Sequence, residues 1–138
     1  LAESSRADSA GFRLIGRRHI RSNNSWLHNS QRLVKGPLRS QLLMHPDDLA
    51  RLGVSSGQNV KVASRVGAVV VPVEASDGIM PGVVSLPHGW GHNRAGIRIG
   101  VAQEHAGVSV NDLTDDQYLD DLSGNAALNG VPVSVTAA

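Results

Sequence analysis

Residues 53–62 read Gly53-Val54-Ser55-Ser56-Gly57-Gln58-Asn59-Val60-Lys61-Val62. A glycine and an aliphatic residue are followed by two further residues and a second glycine. The chain then alternates, with Val60 and Val62 on one face and Lys61 and Ala63 on the other, the period of a half-buried strand. The pattern returns 25 residues later, where Gly78-Ile79-Met80-Pro81-Gly82 leads into Val83 and Val84. Two turn-plus-strand units of one design predict a β-barrel with a pseudo-twofold axis.

Working outward, the remaining elements fit a mostly β fold with a few short helices. Leu42-Leu43-Met44 reads as a strand. A helix follows: Pro46 suits its first turn, Asp47 and Asp48 complement its positive N-terminus, Leu49 and Leu52 form its buried face, and Gly53 ends it. Arg65 to Ala68 reads as a turn into the strand Val69 to Val73, which Pro72 assigns to a sheet edge or a bulge. Val83 to Leu86 and the alternating Val131, Val133 and Val135 complete the set. A short strand from Arg13 to Ile15 is expected to stop at Gly16. Thr114 with Gln117 has the spacing of a capping box and predicts a short helix through Leu119 and Leu122. The Ser/Ala-rich residues 1–12 read as a disordered leader or linker, and 13–138 as one domain. Fifteen Gly and six Pro favour many turns, and only four aromatic residues leave the core to Val, Leu, Ile and Ala.

The chain holds no cysteine, which excludes disulfides, thiolate-held iron–sulfur clusters and Cys-ligated zinc within it. No stretch is long and apolar enough to span a bilayer, and the first ten residues lack the apolar centre of a secretory signal. The expected compartment is the cytoplasm. A net charge of +1 conceals a strong asymmetry. Residues 1–39 carry Arg6, Arg13, Arg17, Arg18, Arg21, Arg32, Lys35 and Arg39 against Glu3 and Asp8, whereas the rest of the chain is acidic. A basic arm on an acidic body points to an anionic partner at one end. Nucleic acid is disfavoured, because the arm offers only Trp26 for base stacking and the body would repel phosphate.

Three polar segments could carry chemistry. In the first, Gly16 to Asn29, the guanidinium groups of Arg17, Arg18 and Arg21 suit phosphate or carboxylate, while Asn23 and Ser25 offer donors and acceptors to a heterocycle edge. Trp26 in this segment is either a ligand contact or a buried plug. The second is Leu86-Pro87-His88-Gly89-Trp90-Gly91-His92, whose glycines permit close backbone approach and whose Trp90 offers a flat face. His88 and His92 stand four apart, a zinc-helix spacing, but Pro87, Gly89 and Gly91 argue against a helix, so no metal site is assigned. The third is Asn111-Asp112-Leu113-Thr114, where Asn111 either bonds a ligand or closes a turn. Catalytic motifs are missing: there is no Gly-x-Ser-x-Gly elbow and no phosphate loop between a strand and a helix.

Taken in order, these pieces resemble a known family. From about Leu14 to Val135 the chain is similar to the molybdopterin dinucleotide-binding C-terminal domain of the dimethyl-sulfoxide-reductase superfamily of molybdenum and tungsten oxidoreductases, which includes formate dehydrogenases, nitrate reductases and biotin-sulfoxide-reductase-like enzymes. The resemblance rests on Gly16-Arg17 with its polar continuation, Leu43 to Gly53, Gly57 to Val62, Gly67, Pro81 to Val84, Pro87 to Gly91, Asn111 to Thr114 and the closing strand. It implies a double-psi β-barrel. It also implies a cofactor, molybdopterin guanine dinucleotide in its bis form, whose Mo or W is held by other domains of the parent oxidoreductase. By position, Gly16, Arg17, Arg18, Arg21, Asn23 and Ser25 would line the pterin and pyrophosphate, His88, Gly89 and Trp90 form a second loop, and Asn111 a third. Arg18 and Arg21 stand where relatives often carry other polar residues. The domain would be catalytically incomplete alone. The competing expectation is a stand-alone double-psi barrel acting as a protein-interaction adaptor.

Overall fold

The computed structural model describes residues 11–138, so the expected leader lies outside it except for its last two residues. Six strands close a barrel: β1 (Phe12–Arg17), β2 (Leu42–Met44), β3 (Asn59–Ala63), β4 (Ala68–Ala75), β5 (Val83–Pro87) and β6 (Val131–Ala137). Their inward residues, among them Leu14, Leu42, Met44, Val60, Val62, Val71, Val73, Val84, Leu86 and Val131, are almost wholly buried and pack as one aliphatic core. Strand β1 starts one residue before the expected domain boundary, because Phe12 is itself a core side chain. Gly16 does not halt the strand: pairing continues through Arg17, opposite Pro87.

Around the barrel the order is β1-β5-β2-β4-β3-β6. The pairs β1/β5 and β2/β4 are parallel, and β2/β5, β3/β4, β3/β6 and β1/β6 are antiparallel. Exchanging β1 with β4, β2 with β5 and β3 with β6 maps this pairing onto itself. The pseudo-twofold is therefore present, and with two parallel crossover pairs the barrel is of the double-psi type. The repeated turns are not its mates, however. The turns at 53–57 and 78–82 lead into β3 and β5, whereas the axis relates β3 to β6 and β5 to β2. Their likeness reflects a shared local need for a glycine-bounded turn before a strand.

Pro72 sits inside β4, opposite Asn59. The Val73 N–H points to β3, donating to Gln58 O at 2.9 Å, so position 72 would aim its own N–H at the other edge. Pairing with β2 there begins only at Val73, and no ladder bond is lost. Helix α1 (Gln31–Val34) is a single turn, and α2 (Pro46–Leu52) forms as expected. In α2, Pro46 lies in the first turn, the His45 ring accepts from Asp47 N–H, and Gly53 closes the helix at φ 66°. Asp48, 1% exposed, accepts from Gly82 N–H at 2.7 Å and pairs with Arg51, which fastens α2 over this end of the barrel.

The opposite end is different. There β1, β3 and β5 finish and β2, β4 and β6 begin, a consequence of the strand directions alone. It therefore receives the loops at 18–41 and 88–130 and the hairpin turn at 64–67. Loop 88–130 contains α3 (Gly100–Glu104) and a 3-10 turn at Val110–Asp112; Val110 and Leu113, the residue that follows the turn, plug the core. The helix expected after Thr114 is absent. Thr114 Oγ1 donates back to Asn111 O, Asp120 forms a turn with Ser123, and Leu119 and Leu122 face outward.

Candidate functional site at one end of the barrel

All three polar segments meet at this loop-bearing end. His88 N–H donates to Arg17 O at 3.0 Å, joining the first and second segments as β1 and β5 finish side by side. Gly91 and His92 both donate to Ala106 O, and Arg94, two residues past the second segment, pairs with Asp112 of the third. Gly67 closes the circuit: a Cβ there would lie 2.4 Å from Asp112 O, so the β3–β4 turn must be bare to seat the strap. Arg65 pairs with Asp115 beside it, and the guanidinium holds that carboxyl down at about 2.

The expected site residues divide into those that face out and those that build the wall. Arg17 belongs to the wall. Its guanidinium donates to Ser85 O at 2.5 Å, Gln41 O at 2.6 Å and Arg39 O at 3.3 Å, tying loop 18–41 to β5. Burial lowers its pKa to about 10, opposed by the charge of Glu74, and the group remains a cation at neutral pH. Gly16 donates to Asn129 Oδ1 at 2.8 Å and lies close to the His88 ring, which a Cβ would meet at 3.1 Å. His88 is half-buried, and burial together with the charge of Arg18 keeps its pKa below the ordinary value.

Arg18, Arg21, Asn23 and Ser25 are exposed on the first loop. Arg18 donates to Asn24 Oδ1, and Arg21 reaches Arg32 O. Asn23 and Asn24 take left-handed conformations, φ 41° and 62°, which Asn tolerates better than most residues. Arg18, His19, Ile20, Asn23, Asn24 and Leu27 line a shallow open depression. Asn111 is also exposed, at the third loop.

Of the two tryptophans, Trp90 is the one that turns inward, and the plug alternative for Trp26 does not hold. Trp90 is buried, with His28 stacked on it at 3.9 Å between ring centroids, whereas Trp26 is 83% exposed. Gly89 explains how the second loop turns its indole inward. At φ 88° it runs against the first loop so closely that a Cβ would stand 1.8 Å from Asn24 O. His92 is buried with Trp90 and hydrogen-bonds His28 across 2.8 Å. Sequence reading did not single out His28, Asn24 or Asn129. Only the Asn-Gly pair at 129–130 carries a local signal, that of a turn.

The chain is thus a closed six-stranded barrel with a cationic, amide-rich rim at one end. The sequence profile of the molydopterin dinucleotide binding domain matches residues 12–132, and the chain belongs to that family. It is 31% identical over 109 residues to a tetrathionate reductase subunit from Salmonella typhimurium, covering 67% of this chain and 11% of that protein. The molybdopterin-containing subunit of arsenate respiratory reductase from Chrysiogenes arsenatis is 30% identical over 115 residues, which cover 79% of this chain and 13% of that one. The chain thus spans little more than a tenth of the length of these two relatives. Among solved structures, acetylene hydratase from Pelobacter acetylenicus superposes with a TM-score of 0.77 at 20% identity, covering 92% of this chain and 18% of that one, a likeness of fold. No helix of the described residues is long and apolar enough to cross a membrane.

Proposed function

We propose that the loop-bearing end forms one wall of a pterin guanine dinucleotide site in a larger molybdenum or tungsten oxidoreductase. The carrying observation is the donor set of the first loop, in a chain whose family binds this cofactor class. Arg18 and Arg21 present exposed guanidinium groups suited to pyrophosphate oxygens, and Asn23, Asn24 and Ser25 present amides and a hydroxyl suited to a heterocycle edge. Asn111 adds a donor–acceptor pair from the third loop. Between residues 9 and 46 there is no carboxylate to oppose an anion. These residues fit the group.

The bound cofactor would supply the redox chemistry, and the chain would supply grip and orientation. The exposed groups bind directly. Arg17, Gly16, Gly89 and Trp90 serve them by fixing the loops to the barrel. Each charge-assisted bond to a phosphate or pterin oxygen contributes about 1.5–3 kcal/mol once ligand excludes water. The ligand to the metal, the second dinucleotide and the choice of substrate belong to the rest of the parent protein in this reading.

The test is cofactor content. Arg18→Ala and Arg21→Ala in the full-length parent protein should lower the dinucleotide and metal recovered per protein while leaving the barrel folded. Wild-type content in the double variant would overturn the reading, as would a 138-residue chain that is complete and works as an adaptor. The parent is assigned to the cytoplasm and to no nucleic-acid partner; release of the protein by osmotic shock, or retention on DNA at physiological salt, would overturn each assignment.

A further inference from the structure

His28 and His92 lie 64 positions apart and form a buried pair that the cofactor reading does not use. His28 Nδ1 and His92 Nε2 are 2.8 Å apart, the two rings meet edge to face, and Trp90 covers the flat side of His28. His28 is 1% and His92 8% exposed. The remaining ring nitrogen of His28, Nε2, is buried with no hydrogen-bond partner. Together with the stack of His28 on Trp90, this pair links loop 18–30 to loop 88–92 through side chains, and the two backbones approach closely at Asn24 and Gly89.

We infer that His28 and His92 are positioning residues, a neutral imidazole latch that holds the first rim loop against the second and opens when the pair takes up a proton. This inference rests on the cofactor reading only for its consequence, retention of the ligand. The physical argument lies in the geometry. A single neutral pair needs one proton between the two facing nitrogens. A further proton places a charge in a buried site faced by the Arg39 guanidinium, where Nε2 has no hydrogen-bond partner in the structure and the Gly89 carbonyl alone opposes the cost. The other groups nearby supply no anion against His28: His88 and Arg18 lie toward the rim, and Glu104 and His105 line the cavity that opens on Trp90.

The sign follows from where each state holds its proton. Burial, His92 and Arg39 lower the His28 pKa from 6.5 to about 4, with only the Gly89 carbonyl opposing, and burial lowers that of His92. An opened loop exposes imidazoles of ordinary pKa. Latch stability is therefore complete above about pH 6.5, declines below it, and is lost as pH falls through the folded value near 4.

The experiment is hydrogen exchange on the full-length protein, with intrinsic exchange rates divided out. Between pH 7 and pH 5, protection of residues 22–30 and 88–92 should fall on the order of tenfold. Residues 59–75 in the barrel should hold, which excludes global unfolding. His28→Asn combined with His92→Gln keeps a hydrogen-bonding amide at each facing position without a titrating group, and should show protection independent of pH. His92→Leu should be unprotected at both pH values. A flat wild-type profile, or the same slope in the Asn/Gln variant, overturns the latch. Should His92→Leu unfold the barrel, the comparison of wild type with the Asn/Gln variant decides. Dinucleotide content separates the two readings: protection that follows pH while content stays constant in His92→Leu upholds the latch and counts against the rim as a cofactor wall.

Discussion

A guanidinium with three carbonyl partners behaves differently from one waiting for a phosphate, and Arg17 is the former. Removing it strands Ser85 O, Gln41 O and Arg39 O at the joint between loop 18–41 and β5. Arg17→Ala should cost about 2–3 kcal/mol in urea unfolding, because bonds from a charged donor to buried acceptors are among the stronger ones. Arg17→Lys should recover only part of this, since an ammonium lacks the planar fork that spans carbonyls from two segments. Equal stability of all three forms would show that the contacts are replaceable by water. Gly89 gives a second test at this scale. Its backbone is left-handed, and a Cβ would intrude on Asn24 O at 1.8 Å. Gly89→Ala should lose more than about 2 kcal/mol and deprotect residues 18–30 to exchange. Neither role could be read from the sequence. An arginine looks the same whether it faces a ligand or a carbonyl, and which tryptophan turns inward depends on a packing contact between loops far apart in the chain.

Elements with a strong period or a terminal signal were legible. Val60 and Val62 and the triad Val131, Val133 and Val135 mark one-sided strands, and the structure buries those faces. Helix α2 announced itself through Pro46 and Gly53. By contrast α1, α3 and the 3-10 turn span four, five and three residues and have no side-chain cap, so nothing local distinguishes them from loop. The false helix after Thr114 has the complementary cause. A capping spacing has value only if an apolar face follows that finds a core, and Leu122 is 98% exposed. Leu122→Ser should therefore change stability by less than about 0.5 kcal/mol. Asp48→Ala, at the other end of the barrel, should cost about 1.5–3 kcal/mol, since Gly82 N–H and Arg51 lose a buried carboxylate. Thermal unfolding of the two variants side by side checks both, and a reversed order would refute the assignment of the two ends.

At the scale of the whole molecule, one end of the barrel is closed by a short helix and tight turns, and the other by long polar loops. Strand direction dictates this division, and the sequence carried it as an uneven charge. Residues 11–45 hold seven basic groups and no acidic one. Three of these, Arg13, Arg17 and Arg39, are part-buried and spend their guanidinium groups on backbone carbonyls, and exposed Arg21 also reaches one, that of Arg32. Arg18, Arg21, Arg32 and Lys35 remain exposed, so the field at the rim comes from solvent-facing cations that salt screens within about 8–10 Å. Retention of an anionic dinucleotide should then depend on ionic strength. In the full-length holoprotein, raising salt from about 50 mM to about 500 mM should speed cofactor loss several-fold, because the Debye length shrinks below the spacing of these groups from the phosphates. Arg18→Ala with Arg21→Ala should release faster at low salt and show a flatter salt dependence, since fewer charges remain to be screened. Filtration of the holoprotein at several salt concentrations, with the dinucleotide measured in the flow-through, gives both slopes. Parallel slopes for wild type and variant would place the phosphate grip elsewhere in the parent protein and leave this rim only its polar amides.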